Sequence, residues 1–242
     1  MTDIGRVAQE TILIPGLNFK VAYNPEIVLF TWVVIFLILF FAFVAARSMK
    51  RAPSRAFVAF EALYKTFLDM AEEAMGEDGR KFTPLVVTIF IFVLFSNWLG
   101  VIPGMKSPTQ DLNTCLGLGI LVFIIAHASA IMKKGLGKYL KGYLEPFFFF
   151  LPINIIGEFG KLVSHSFRLF GNIFAGAIIF ALVGPVIIKT VNAVGFPTYS
   201  ATPAILITNF IAQAFFGLFV GTVQALVFAL LALTYIAILR EA

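Results

Sequence analysis

The chain has 242 residues, of which 60% are hydrophobic and only 13% are charged. A soluble domain of this size could not bury so much apolar surface, so the composition excludes a soluble protein and indicates an integral membrane protein with several spans. The formal net charge is +5, but the cations cluster in short loops beside apolar runs, which favours membrane orientation over a nucleic-acid partner.

The first part of the chain predicts an exposed segment followed by a membrane span. Residues 1–25 are of mixed composition and contain two prolines. The apolar run 27–46 is long enough to cross a hydrocarbon core of about 30 Å as a helix. Arg47, Lys50 and Arg51 follow it and indicate the cytoplasmic side.

The next region predicts one surface helix and two spans. In residues 52–75, apolar side chains recur at helical spacing with charged residues on the other faces, which is typical of a helix lying along the membrane surface. The alternative, a helix covering a soluble core, lacks a soluble domain to cover. Spans follow at 82–101 and 112–132, joined by a turn-rich connection on the far side.

Two unusually long apolar segments remain, at 145–189 and 203–239. A helix of roughly forty residues is about 60 Å long, twice the hydrocarbon thickness, so each must lean, break or run partly along the membrane. The prediction is therefore an all-α membrane protein forming a single membrane domain. It has five membrane helices and one amphipathic surface helix, with the last two spans paired as a long tilted hairpin. The amino terminus is expected outside and the carboxyl terminus in the cytoplasm.

One face of the first long helix is polar. With Glu158 as zero and 100° per residue, Lys161, His165, Arg168 and Asn172 fall at about −60°, −20°, −80° and −40°. A polar face within membrane-deep sequence is expected to be turned away from lipid, and such groups pair with one another, with a partner protein or with water.

The last helix carries a second polar stripe. From Asn209 as zero, Gln213 falls near 40° and Gln224 near 60° by the same step. The two helices are thus expected to face each other with complementary hydrogen-bonding groups. Taken singly, these three amides are as consistent with simple interhelical hydrogen bonding as with a functional role.

Packing explanations compete with functional ones in the first stripe as well. Glu158 and Lys161 are interpreted first as neutralising each other near the cytoplasmic edge. His165 is compatible with a proton relay, but packing against a neighbouring polar group is favoured. Since the chain has two histidines and the single cysteine Cys115, we predict no metal site and no internal disulfide.

Arg168 is the hardest residue to explain by packing, because a bilayer strongly disfavours a guanidinium at such depth. The group stays protonated at physiological pH and cannot relay protons by titrating. It can act as a fixed positive charge that lowers the pKa of a carboxylate beside it. Glu158 lies almost three turns away on the same helix, so the partner carboxylate is expected on another subunit.

These residues belong to segments with a recognisable pattern. SFRLFGNIFAG, residues 166–176, and GTVQALVFALLALTYI, residues 221–236, closely resemble the two signature helices of subunit a of F-type rotary ATP synthases. FSNWLGVIPG and PTQDLN resemble earlier segments of that family, so the resemblance covers most of the chain.

The resemblance implies a stator subunit that sits against a rotating ring of c subunits, each with a carboxylate in mid-membrane. Two half-channels would carry H⁺ or Na⁺ to and from these carboxylates, and Arg168 would promote ion release and prevent leakage. Gln224 and Asn172 match polar positions near the arginine. The implied partners are the c-ring, the peripheral-stalk b subunits, the remainder of the F1Fo complex and lipid, in the bacterial cell inner membrane.

Two positions depart from the family pattern. Many relatives carry ionisable residues where this chain has Ala177 and Gly217. The outer half-channel is then predicted to be lined by water and by polar substitutes, namely Asn172, Asn209, Gln213 and, near the outer mouth, Asp111.

Two other functions compete with the stator subunit. The first is a stand-alone secondary transporter using Arg168 to bind an anionic substrate, which inverted repeats would support, and none is evident. The second is a membrane scaffold, but a purely structural role does not require the aligned polar stripes. The chain lacks a Gly-rich phosphate loop or Walker-type lysine motif, so we predict no nucleotide site, no cofactor and no enzymatic activity of the chain alone.

Overall fold

The computed structural model describes residues 10–13, 20–49, 55–102, 104–144, 147–195 and 197–241. Two short strands, β1 (Glu10–Leu13) and β2 (Lys20–Tyr23), pair antiparallel. The sequence predicts this region only as an exposed segment, and the rest of residues 1–19 lies outside the described residues.

The remaining regular structure of the described residues is helical. The helices are α1 (Pro25–Met49), α2 (Arg55–Met75), α3 (Gly79–Leu99), α4 (Leu112–Lys134), α5 (Leu136–Gly142), α6 (Leu151–Ala193), α7 (Thr202–Gln213) and α8 (Gly221–Glu241). A π-helical segment, Ala214–Val220, joins α7 to α8. Within the described residues, five helical stretches are long and apolar enough to cross a membrane: Pro25–Arg47, Phe57–Leu99, Leu112–Lys134, Phe148–Ala193 and Thr198–Glu241. The predicted class of a helical membrane protein with five spans is confirmed.

Helix α1 begins at a side-chain cap and carries apolar residues on its outer surface. The backbone N–H of Glu26 donates to Asn24 Oδ1 at 3.0 Å, which satisfies one of the free donors of the first turn. Phe36 is 72% exposed, as expected of a residue that faces lipid. Of the cations predicted to follow this span, Arg47 lies in the last turn, and Lys50 and Arg51 lie outside the described residues.

Helices α2 and α3 form a hairpin. Gly76 has φ of +64°, a conformation that favours glycine, and it marks the end of α2. Ala71 O lies 2.0 Å from the position that a Cβ on Gly79 would take, so only glycine fits there. The rings of Phe67 and Phe90 meet at 5.0 Å across the two helices. Of the predicted surface helix 52–75, residues 52–54 lie outside the described residues.

Helix α8 supplies the centre of the bundle by packing against α3 and α4. Phe228, Leu233 and Ile236 are at most 2% exposed and belong to one apolar cluster with residues of α3 and α4, including Val93 and Val122. In a membrane, burying such a side chain stabilises the bundle through van der Waals contacts. The gain is the difference between the contacts that the side chain makes with other helices and those that it would make with lipid.

Helix α6 is long, largely exposed, and touches α4 at a close crossing. Its 43 residues correspond to about 65 Å. A Cβ on Gly119 of α4 would lie 2.2 Å from Ser166 Oγ. Ser166 and Leu169 are 0% exposed, so this crossing fixes one side of α6. The predicted start of this segment, residues 145 and 146, lies outside the described residues.

Ion pairs and hydrogen bonds to one carboxylate connect the termini of several helices on one side of the bundle. Asp78, between α2 and α3, accepts a hydrogen bond from Arg240 Nη2 at 2.6 Å and forms an ion pair with Lys81 at 3.0 Å. Lys133, at the end of α4, lies 3.8 Å from the same carboxylate. The start of α3 and the ends of α4 and α8 therefore share one end. Glu26, in the first turn of α1, pairs with Lys106 between α3 and α4, so α1 begins at the other end.

Candidate functional site

The polar face of α6 lines a cavity of about 480 Å³. Lys161, His165 and Arg168 reach it from α6, and Thr234 and Tyr235 reach it from α8. Three glycines widen the space, two from α6 and one from α4: Gly157, Gly160 and Gly119. The cavity thus places a cationic and aromatic lining between the three helices.

Arg168 has no acidic partner in the described part of the chain. Its side chain is exposed, and it makes no hydrogen bond or ion pair with any described residue. Glu158 instead binds Lys161 Nζ at 2.7 Å and accepts a hydrogen bond from the Tyr235 hydroxyl at 2.7 Å. The predicted ion pair between Glu158 and Lys161 is therefore present, and a partner of Arg168 on another subunit stays a prediction.

His165 packs against an aromatic ring. Its imidazole lies 3.9 Å from the Phe228 ring, centroid to centroid. Its Nε2 is buried and has no hydrogen-bond partner among the described residues. The imidazole also has a hydrogen bond to the backbone of Phe228, and its packing against a polar side chain stays a prediction.

A second, smaller cavity of about 120 Å³ lies one helical turn beyond Arg168. Asn172 Nδ2 donates to Gln224 Oε1 at 2.6 Å across α6 and α8, as expected if the two polar stripes face each other. Gln213 also lines this cavity. Gln224 Nε2 is buried and has no partner among the described residues, so a donor remains free.

Asn97 of α3 is the buried centre of the polar network beside this cavity. It is 5% exposed, its Nδ2 donates to Gly221 O at 2.9 Å, and its Oδ1 accepts from Thr109 Oγ1 at 2.7 Å. Ser107 joins through Thr109 at 2.6 Å. These residues were not predicted from the sequence. The available signal was an asparagine near the end of one apolar run and two hydroxyl residues in the connection that follows it.

The two positions that depart from the family pattern line the same small cavity. Ala177 and Gly217 face it from opposite helices. A Cβ on Gly217 would lie 2.1 Å from Val101 Cγ2, so Val101 occupies the space that a larger residue would need. The structure therefore closes one side of the cavity with an apolar group.

Two residues predicted for the site lie elsewhere. Asn209 is on α7, is absent from the lining of both cavities, and its Oδ1 is buried without a partner among the described residues. Asp111 caps α4 by accepting from the Asn113 N–H at 2.9 Å. The adjacent Gln110, not Asp111, reaches the small cavity.

A further hydrogen-bonded group was missed by sequence reasoning. His127 of α4 contacts the Tyr139 hydroxyl at 2.9 Å through Nδ1 and the Tyr235 hydroxyl at 3.3 Å through Nε2. Tyr139 in turn lies 2.9 Å from the Tyr143 hydroxyl. Three helices contribute, namely α4, α5 with the residue after it, and α8, so no single stretch of sequence carries the pattern.

Comparisons with known proteins agree on one family. Residues 28–237 match the family model described as ATP synthase A chain. ATP synthase subunit a of Moorella thermoacetica is 37% identical over 207 residues, which are 86% of this chain and 87% of the relative. The subunit a of Desulforamulus reducens is 33% identical over 216 residues, 88% of this chain and 79% of the relative. The chloroplastic subunit a of Stigeoclonium helveticum is 35% identical over 224 residues, 88% and 83% of the two chains.

Proposed function

The chain belongs to the family of ATP synthase subunit a, a membrane component of the Fo part of the complex, and we propose that it forms two half-channels for H⁺ or Na⁺. The half-channels carry the ion to and from carboxylates of a c-ring, and Arg168 separates them. In this role the chain is an ion-translocating subunit and not an enzyme on its own.

The place of Arg168 on α6 carries the proposal. Arg168 lines the larger of the two cavities, and the smaller begins one turn further along α6 at Asn172. An ion passing directly between them would have to cross a permanent positive charge. A carboxylate brought beside that charge would have a lowered pKa and would release its ion. The free Nε2 donor of Gln224 could bind a water molecule in the smaller cavity, which supports passage of the ion there.

The outer surface supports docking of a membrane ring. Large apolar side chains on α6 and α7 are exposed, among them Ile156, Phe159, Phe167, Phe174, Leu206, Phe210 and Ile211. Arg168 follows Phe167 and is exposed as well. A ring packed on this surface would carry its carboxylates past the guanidinium, and lipid would cover the remainder. The peripheral-stalk b subunits and the rest of the complex complete the proposed partners.

The distribution of cations supports an orientation. Lys81, Lys133 and Arg240 lie at the end of the bundle that holds Asp78. The positive-inside rule makes this end cytoplasmic in the bacterial cell inner membrane. With five spans, the carboxyl terminus is then cytoplasmic and the amino terminus outside.

Arg168→Ala in the assembled complex tests the proposal. ATP synthesis driven by an imposed ion gradient in membrane vesicles is expected to fall by about 10²-fold or more, because a fixed charge at a reacting centre is typically worth that much. Assembly, measured by co-purification, should be retained. Lys189→Ala is the matched control, since Lys189 is an exposed cation of the same helix outside both cavities. Coupled synthesis at the normal rate in Arg168→Ala would refute the proposed role.

A further inference from the structure

Two cavities adjoin on α6. Gly157 and Lys161 belong to the lining of both the 480 Å³ cavity that Arg168 lines and a further cavity of about 520 Å³, the vestibule. The vestibule is also lined by Lys134 and Leu239, near the ends of α4 and α8, so it lies at the basic end of the bundle. The vestibule and the Arg168 cavity therefore meet at Gly157 and Lys161, which form a neck between them.

The ammonium group at the neck is paired with a carboxylate. A lysine charge there would oppose the passage of a cation, but Lys161 Nζ lies 2.7 Å from Glu158 Oε1. The other carboxylate oxygen, Oε2, accepts a hydrogen bond from the Tyr235 hydroxyl of α8 at 2.7 Å. Lys161 Nζ also lies 5.6 Å from the centre of the Tyr235 ring. Both oxygens of Glu158 thus have a partner, and α8 helps to fix the carboxylate beside the ammonium.

The surroundings of Glu158 give its charge particular weight. Its side chain is only 13% exposed, so water screens the ion pair less than it screens a pair on the surface. Among the described residues that line the vestibule and the Arg168 cavity, Glu158 is the only carboxylate. The lysine and arginine side chains of the same lining are Lys134, Lys138, Lys161 and Arg168. Loss of this one negative charge would therefore leave a purely positive lining.

We propose that the vestibule, the neck and the Arg168 cavity form the inner access route of the ion, and that Glu158 keeps the neck passable by neutralising Lys161. Tyr235 is a positioning residue that acts through Glu158. This inference rests on the proposed function and adds to it the residues that set the charge of one half-channel. Because Lys161 is neutralised, the uncompensated charge beyond the neck is that of Arg168, where the proposed function requires it.

Glu158→Gln in the intact complex removes the compensating charge and keeps the shape of the side chain. ATP synthesis driven by an imposed ion gradient in membrane vesicles is expected to fall about tenfold, because a unit charge about 10 Å from a passing cation opposes it by about that factor at an effective dielectric constant of about 20. Glu26→Gln is the matched control, since Glu26 pairs with Lys106 and lines neither cavity. Synthesis at the wild-type rate in Glu158→Gln would overturn the proposal.

The double variant Glu158→Gln, Lys161→Gln separates charge compensation from packing. Its neck is neutral, so synthesis should return to within about threefold of the wild type, because the two changes act on one shared charge pair and do not add. A purely structural role of the ion pair predicts no such recovery. A double variant as impaired as Glu158→Gln would overturn the proposal.

Tyr235→Phe tests the positioning role. It keeps the ring beside Lys161 and removes one hydrogen bond to Glu158, so it should lower synthesis less than Glu158→Gln does. A loss larger than that of Glu158→Gln would show that Tyr235 does not act through Glu158.

Gly157→Leu tests the route without changing a charge, and it remains informative if Glu158→Gln does not assemble. A Cβ on Gly157 meets nothing within 4 Å, so the larger side chain enters open space at the neck. Synthesis should fall several-fold while the complex still co-purifies. Gly137→Leu on α5 is the control, since a Cβ there is equally free and Gly137 lines neither cavity. A normal rate in Gly157→Leu would mean that the ion takes another route and would overturn the proposal.

Failure of this inference is distinguishable from failure of the proposed function. If Arg168→Ala keeps normal synthesis, the proposed function itself fails. If Arg168→Ala is inactive but Glu158→Gln or Gly157→Leu is normal, only the charge-compensated inner route fails.

Discussion

The close crossing of α4 and α6 predicts that Gly119→Ala destabilises the chain and that Ser166→Ala restores it. A Cβ on Gly119 would lie 2.2 Å from Ser166 Oγ, but 3.6 Å from Ser166 Cβ and from Leu162 O. Removing the hydroxyl therefore leaves only ordinary contacts. Overpacking of this kind costs about 1–3 kcal/mol in the free energy of unfolding. Ser166→Ala alone should change it by about 0.5 kcal/mol or less, because the hydroxyl bonds only Leu162 O of its own helix.

Cys115 provides the assay. It is the only cysteine of the chain and is 0% exposed on α4, so a thiol reagent labels it only when the helix opens. Labelling of this chain in the intact complex should be about 5- to 150-fold faster in Gly119→Ala, since about 1.4 kcal/mol is a factor of ten.

Two further variants make the test decisive. The Gly119→Ala, Ser166→Ala pair should label within about twofold of the wild type, because the two changes share one contact and do not add. Gly117→Ala is the control on the same helix, since a Cβ there meets nothing within 4 Å. Equal labelling of Gly119→Ala and Gly117→Ala, or no reversal by Ser166→Ala, would refute the steric reasoning.

Two predictions concern the polar groups of the smaller cavity. Asn97→Leu should lower the free energy of unfolding by about 1–3 kcal/mol, because Gly221 O and the Thr109 hydroxyl each lose a buried partner. Faster Cys115 labelling than in the exposed control Asn113→Ala would support it, and equal labelling would contradict it. Gln224→Leu should lower coupled ATP synthesis about fivefold, the equivalent of one hydrogen bond near 1 kcal/mol, since water can replace a neutral partner of Asn172. A loss as complete as that expected of Arg168→Ala would contradict this ranking.

Helical periodicity predicts much of this arrangement because neighbours on one helix are fixed by local geometry. The polar face of α6 follows from a rotation of 100° per residue, and Lys161, His165 and Arg168 do share one cavity. The pairing of Asn172 with Gln224 follows from two stripes in helices long enough to form a hairpin.

Other contacts between distant segments were not predicted, because they depend on how the helices cross. His127 and Tyr235 are 108 positions apart, and each reads alone as an ordinary residue of an apolar helix. The π-helical segment before α8 likewise has no composition that marks it. Asn209 was placed with Gln213 by an α-helical step, yet only Gln213 borders the small cavity.

The hydrogen bonds that join α6 to α8 include Asn172 to Gln224 and Glu158 to Tyr235. Along α8 these points are separated by about 16 Å. With one such hydrogen bond α6 could rotate about the contact, whereas two separated hydrogen bonds resist rotation of α6 relative to α8. Because α8 also ends at the Arg240–Asp78 ion pair, a sideways load on α6 passes through α8 into the turn before α3. Helix α6 is thus held against sideways displacement by α8, which is itself held by the ion pair at its end.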